Sequence, residues 1–180
     1  PPFWIAAFAT PESFVAAGAA GHSVMAIPLS GGRMAELISL YRDAWRAGGH
    51  PGNGRVMLAF HMFCWPNEAG AIAHSRERVN SYLRSLADAA SDWIGGATSA
   101  DYPGYDKIMA GLAEETFESQ VSKGAAWIGT PEQICAQITD YQKLVGNFEI
   151  ASLQVNFHDM PLEMAVSSVR LFASEVMPNF

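Results

Sequence analysis

The stretch Phe3–Leu29, FWIAAFATPESFVAAGAAGHSVMAIPL, decides the reading of this chain. Phe3–Phe8 is a short apolar run ended by a turn signal, the pattern of a strand buried on both faces. Thr10-Pro11-Glu12 then joins a side chain able to cap a helix, a proline suited to the first helical position and an early carboxylate. A helix is therefore predicted over Pro11–Ala20, stopping at Gly21, with Gly18 and Gly21 serving close packing. Ser23–Leu29 follows as a second buried strand. Strand, helix and strand in succession describe a βα unit leading to a parallel neighbour, because parallel strands need a crossover connection.

The alternation continues outward. Ser30-Gly31-Gly32 reads as a break, after which Met34, Leu37, Ile38, Tyr41 and Trp45 recur at helical spacing up to Gly48-Gly49. Arg55–Trp65 is a third strand, and Asn67–Ala90 a long charged helix with Ala71, Val79, Tyr82, Leu83 and Leu86 turned inward. Ile94–Tyr105 reads as a surface loop placed to close over a site. Tyr105–Gln120 is expected to add a helix. Thr130–Val145 forms another, with capping-box spacing between Thr130 and Gln133. Phe148–Phe157 is the fourth strand and Pro161–Met177 the last helix, stopped by Pro178. Residues 1–180 thus read as a single partial α/β domain of four βα units, with an inserted loop and helix near 94–125. Four such units are half of a (β/α)8 barrel, which needs on the order of 250 residues; a complete small open sheet is the alternative, and length does not choose. The Pro-Pro opening, entering a strand within two residues, reads as a cut inside a larger protein.

Composition narrows the partners. With 180 residues, 49% of them hydrophobic, and a net charge of −7, the chain fits one folded domain that repels phosphate polymers and acidic membranes on average. No apolar stretch approaches the roughly 18 residues of a membrane span and no signal peptide opens the chain, so the cytoplasm is expected. Cys64 and Cys135 stand alone in apolar contexts and read as unpaired thiols. The five histidines show no zinc-like spacing, so no metal is expected. His61 can point into a barrel from the third strand or be a satisfied core group; His158, after the fourth strand, can line a site or belong to a loop. No dinucleotide fingerprint, phosphate-binding lysine loop or nucleophile elbow is present.

The tripeptide Thr-Pro-Glu occurs twice, at Thr10–Glu12 and Thr130–Glu132. Both copies are good helix starts. The first follows a strand directly, at the carboxyl end of the sheet, where α/β proteins place ligands, and Ser13 adds a second hydroxyl; capping and anion binding both remain open there. The second has Gln133 in place of that hydroxyl, and capping is favoured.

The succession WIAAFATPESFVAAGAAG, LISLYRDAWRAGGHPGNGRVML, GTPEQICAQITDYQ and SLQVNFHDMPLEMAVSSVRLFASEVMP resembles the bacterial luciferase-like flavin-dependent monooxygenases, over the C-terminal half of their barrel, strand five through helix eight. The resemblance implies reduced FMN at the carboxyl end of the barrel, supplied with electrons by NAD(P)H or a partner flavin reductase, and an oxygenation of a small organic substrate by O2. It assigns Ala9, Thr10 and Ser13 to the flavin phosphate and Ile27, Pro28 and Leu29 to the neighbourhood of the flavin ring. It implies that the full-length protein forms homo-oligomers, and that the catalytic histidine and phosphate-gripping arginine come from the other half-barrel, so that no catalytic residue is assigned here and the fragment alone is inactive. His158 stands where many relatives have glycine. Two rivals are a non-catalytic flavoprotein or interaction module on the same half-barrel, and an independent open α/β nucleotide-binding domain.

Overall fold

The computed structural model describes residues 2–89 and 111–180. The loop expected over Ile94–Tyr105 and the first part of the helix expected over Tyr105–Gln120 lie outside these residues. Strand β1 (Trp4–Ala6) leads into helix α1 (Pro11–Ala19), β2 (Ser23–Ala26) into α2 (Gly31–Ala47), and β3 (Val56–Cys64) into α3 (Glu68–Ala89). A short helix α4 (Phe117–Ser122) precedes β4 (Ala126–Gly129), followed by α5 (Pro131–Val145), β5 (Ile150–Gln154), α6 (Leu162–Glu175) and a closing 3-10 turn, Met177–Asn179. Every strand pairing is parallel.

The register explains how five strands share one sheet. Met57 of β3 is partnered by Met25 of β2 on one edge and Ile150 of β5 on the other. Further along, His61 is partnered by Ala126 of β4 and Gln154 of β5. β5 therefore runs along one edge of β3, while β2 and β4 divide the other between its first and second halves. The fifth strand corrects the four expected from sequence. Ala126–Gly129 is four residues of AWIG, all buried; a run that short shows no period, and its flanking alanine and glycine carry little strand preference.

One face of the sheet is packed and the other is partly open. On β3 the residues alternate, with Val56, Leu58, Phe60 and Met62 buried beneath the helices and Met57, Ala59 and His61 turned to the other face. Phe60 is the centre of the packed face. It stacks on Trp127 with ring centroids 3.8 Å apart and meets Tyr141 edge-on at 5.3 Å. The open side explains a second correction: β1 was expected to be buried on both faces, yet Ile5 and Ala6 are exposed, because β1 is an edge strand whose neighbour on one side is absent among the described residues. Two helical expectations also change. Gly31 and Gly32 form the first turn of α2 instead of breaking the chain, and a Cβ on Gly31 would lie 1.9 Å from the Leu144 side chain of α5. The helix expected to run to Gln120 is interrupted: residues 111–113 are helical, and α4 begins afresh behind Thr116, whose hydroxyl accepts from Ser119 N at 3.1 Å while Ser119 Oγ accepts from Thr116 N at 2.9 Å. Gly18 has the close-packing role expected of it, since a Cβ there would come within 2.4 Å of the Tyr41 carbonyl of α2.

The two Thr-Pro-Glu starts now separate. Thr130 forms a capping box, accepting from Gln133 N at 3.4 Å while Gln133 Oε1 accepts from Thr130 N at 2.9 Å. Thr10 occupies the same position before α1 and makes no side-chain capping bond. Replacing Thr130 by alanine is expected to lower stability by about 1 kcal/mol, and replacing Thr10 to change it by less than about 0.5 kcal/mol. Urea unfolding of both variants at unchanged m-value checks the contrast; equal losses would contradict it.

Candidate functional site

Parallel sheets gather ligands at the carboxyl ends of their strands, where loops from several units converge above a rigid floor. Here that end holds a cavity of about 660 Å³. The loop after β1 contributes Phe8 and Ala9, and the loop after β2 contributes Ile27, Pro28 and Leu29. Ala59 and His61 of β3 and Gln154 of β5 form the floor, while Tyr82, Leu83 and Leu86 of α3 form the opposite wall with Leu112. Glu115, Gln120 and Lys123 close one end. A second groove lies at the amino ends of the strands, but its cations are engaged. Arg42 donates to Asn53 O at 2.7 Å and pairs with Glu149 at 2.8 Å, Arg46 pairs with Asp43, and Lys143 pairs with Asp140 at 3.5 Å.

Of the residues singled out in the sequence, Ala9, Ile27, Pro28 and Leu29 line this cavity together. The Ile27–Leu29 segment lies beyond the end of β2, and its position is set from outside: the buried Tyr141 of α5 donates its hydroxyl to Leu29 O at 3.1 Å. Burial without a counter-charge pushes that phenol well above its usual range, so it remains a donor. Thr10 and Ser13 lie outside the cavity lining at the start of α1, where Ser13 N donates to Thr10 O at 3.1 Å. Beside them stands Arg33 of α2. One arm of its guanidinium donates to Ala9 O at 3.3 Å and the other pairs with Glu36 at 2.9 Å. His158 is exposed, with a left-handed φ of 48°, and does not line the cavity; its neighbour Asp159 pairs with Arg78 at 3.1 Å. Cys64 is buried and unpaired, its thiol pushed up to about 11 mainly by burial, so it stays protonated and unreactive.

The polar end of the cavity is a connected set that sequence reading overlooked. Burial raises the affinity of the Glu115 carboxyl for a proton, but bonds from Lys123, Ser119 and Gln120 outweigh it and hold the group below the usual carboxylate range. Gln120 Nε2 donates to Glu115 Oε2 at 2.9 Å, and Lys123 and Ser119 also bond this carboxylate. Gln120 faces the His61 ring, which Tyr82 and Phe157 flank edge-on at 5.4 and 5.5 Å. Nδ1 of His61 is buried without a partner among the described residues. An N–H there would forgo a hydrogen bond at a cost of about 1–3 kcal/mol, so the proton belongs on Nε2, toward Gln120. In the sequence the only trace of this set was His61, a polar residue interrupting the apolar run LAFHMF.

Residues 1–147 match the family model of the luciferase-like monooxygenases. The chain belongs to that family. Among solved structures, this luciferase-like chain is similar to the monooxygenase RslO1 from Streptomyces bottropensis, at 27% identity and a TM-score of 0.70 over 99% of this chain and 48% of that one. It shares its fold with the oxygenating constituent of the 3,6-diketocamphane monooxygenase of Pseudomonas putida, solved with FMN, at 21% identity and a TM-score of 0.73 over 100% of this chain and 49% of that one. The long-chain alkane monooxygenase LadA gives a TM-score of 0.68 at 11% identity, over 99% of this chain and 41% of that one. No curated protein matches the chain in sequence. This luciferase-like chain spans about half the length of the solved structures it matches, and its βα units have the fold of a half-barrel. Among the described residues no helix is long and apolar enough to cross a membrane.

Burial pushes the His61 imidazole down to about 4, with Gln120 opposing in part. The unfolded chain takes up this proton near pH 6.5, whereas the folded chain refuses it until about pH 4. The contribution of His61 to stability is therefore complete above pH 6.5 and lost as pH falls through that window. Wild type is expected to lose stability more steeply than His61→Phe between about pH 6.5 and 4, by a slope of about one proton. Urea midpoints across that range read the difference; parallel curves would show that His61 titrates normally.

Proposed function

We propose that this chain is the C-terminal half of a flavin-dependent monooxygenase barrel, acting in the full-length protein on a small organic substrate with reduced FMN and O2. Electrons would come from NAD(P)H, directly or through a partner flavin reductase. The observation that carries this reading is the cavity at the carboxyl ends of the strands, into which the loops after β1 and β2 bring Ala9, Ile27, Pro28 and Leu29.

The residues present fit half of a flavin site. Thr10 keeps a hydroxyl unspent on capping, at a helix start whose first N–H groups and dipole favour an anion. Ser13 adds a second hydroxyl, and Arg33, anchored on Ala9 O, brings a cation to the same corner. Ile27, Pro28 and Leu29 form an apolar wall held by Tyr141, and the small side chain of Ala59 leaves the floor flat. When bound, the flavin would supply the oxygen activation. The chain's own residues would bind its phosphate, orient its ring against the Ile27–Leu29 wall and exclude water with Tyr82, Leu83 and Leu86.

Replacing both Thr10 and Ser13 by alanine in the full-length protein is expected to weaken FMN binding by about tenfold or more, the loss of charge-assisted hydrogen bonds. Arg33→Gln should weaken FMN and leave riboflavin, which lacks the phosphate, unaffected. Flavin fluorescence titrations give both affinities. Equal losses for the two flavins would remove the phosphate from this corner.

A further inference from the structure

The cavity has a second wall, away from the Ile27–Leu29 segment, and its polar end is built differently from a site for a charged ligand. Among the described residues only two charged side chains line the cavity, Glu115 and Lys123, and they are bonded to each other. Their charges cancel locally, leaving neither a cation to receive a carboxylate nor a carboxylate to receive an amine. His61, deep on the floor, is uncharged at neutral pH. One of the two N–H groups of Gln120 is held by Glu115.

Gln154 is different. It ends β5 on the open face of the sheet, next to His61 in register and so about 4.8 Å away across the strands. It lines the cavity and is half-buried, and its side-chain amide makes no hydrogen bond to the described residues. A polar side chain at the carboxyl end of a barrel strand, on the inner face and without a bond to the described residues, is placed to meet a ligand. Around it the surfaces are apolar: Ala59 on the floor and Tyr82, Leu83, Leu86 and Leu112 on the wall. One amide in an apolar chamber of about 660 Å³ orients a molecule through a single hydrogen bond and leaves the rest of it to packing.

We propose that Gln154 is a specificity-determining residue that donates to the neutral carbonyl oxygen of an otherwise apolar substrate, seated between the β3–β5 floor and the α3 wall. The chamber favours uncharged molecules because a carboxylate entering it would shed its hydration and meet, among the described residues, only a pair already neutralised. This deepens the flavin reading for turnover, but binding of the carbonyl compound stands independently of it.

The test uses the full-length protein and two matched probes, cyclohexanone and cyclohexanecarboxylate, with affinities measured by calorimetry and FMN affinity measured on the same samples. Wild type is expected to bind the ketone more tightly than the carboxylate. Gln154→Leu should weaken the ketone by about five- to tenfold, the worth of one hydrogen bond. Gln154→Glu, which keeps the shape but has no N–H to donate, should weaken it at least as much, a loss that a purely structural role would not produce. FMN affinity should be unchanged in both variants. The proposal is overturned if the carboxylate binds as tightly as the ketone, if the ketone shows no binding at millimolar concentration, or if Gln154→Leu leaves its affinity intact. A loss of FMN affinity in step with the ketone would also overturn it, since Gln154 would then touch the flavin. Should wild type bind the ketone selectively and no FMN at all, the flavin reading fails and the role of Gln154 stands.

Discussion

The pairing of β3 with three strands at once is the constraint on which the rest of the structure depends. A strand has two edges, and nine residues are enough for β5 to take most of one while β2 and β4 take successive halves of the other. Because all these pairings are parallel, each neighbour must arrive through a crossover; α1, α2, α5 and α6 pack on the face that buries Phe60 and α3 on the opposite one, against Phe63. Phe60 lies at the middle of this arrangement, stacked on Trp127 from β4 and edge-on to Tyr141 from α5. A single side chain thereby joins the strand that carries the floor of the cavity to the helix that holds its wall.

That linkage turns a packing arrangement into a binding geometry. Tyr141 contributes its ring to the core and its hydroxyl to Leu29, so the loop beyond β2 is held by a buried group that cannot ionise at ordinary pH. The alternation along β3 does the rest: the residues between the buried ones, Met57, Ala59 and His61, face the other way and form a surface that is small in the middle and polar at the end. The α3 wall owes its position to the same division, because Phe117 N at the start of α4 bonds Asn80 of α3 at 2.7 Å and so ties the polar end of the cavity to the helix beside it.

The order of strands and helices was legible because each long element carries its own pattern: α2 repeats at helical spacing and β3 is a nine-residue, mostly apolar run. The cavity lining was legible at Ala9 and Ile27–Leu29 through the family resemblance, and the residues lie at the carboxyl end because they follow strands. What escaped was short or contextual. β4 has four residues and no period, and α4 depends on a capping box inside a segment whose apolar spacing suits one longer helix. Gln120 reaches His61 only because α4 folds back onto α3, a contact between residues far apart in the chain. The two Thr-Pro-Glu motifs show the limit most clearly, because the tripeptide is the same and the capping differs. Gln133 returns a bond to Thr130 N and completes a box, whereas Thr10 is left with its hydroxyl uncommitted, although a serine at the position of Ser13 completes the box of Thr116.

An uncommitted group is informative in proportion to what it forgoes. Thr10 is exposed, so water satisfies its hydroxyl and its freedom costs little; it indicates a possible contact without demanding one. Nδ1 of His61 is sealed among aromatic rings and forgoes a hydrogen bond outright, a cost the fold accepts in order to place the ring between Gln120 and the floor. Gln154 lies between these extremes, half-buried on the open face with its amide unbonded among the described residues. A residue needed only to fill that position would be better served by leucine, which buries the same volume without a polar head to desolvate. The amide makes physical sense where something uncharged arrives to share a hydrogen bond with it, and the mutual neutralisation of Glu115 and Lys123 a short distance away keeps the chamber suited to such a molecule.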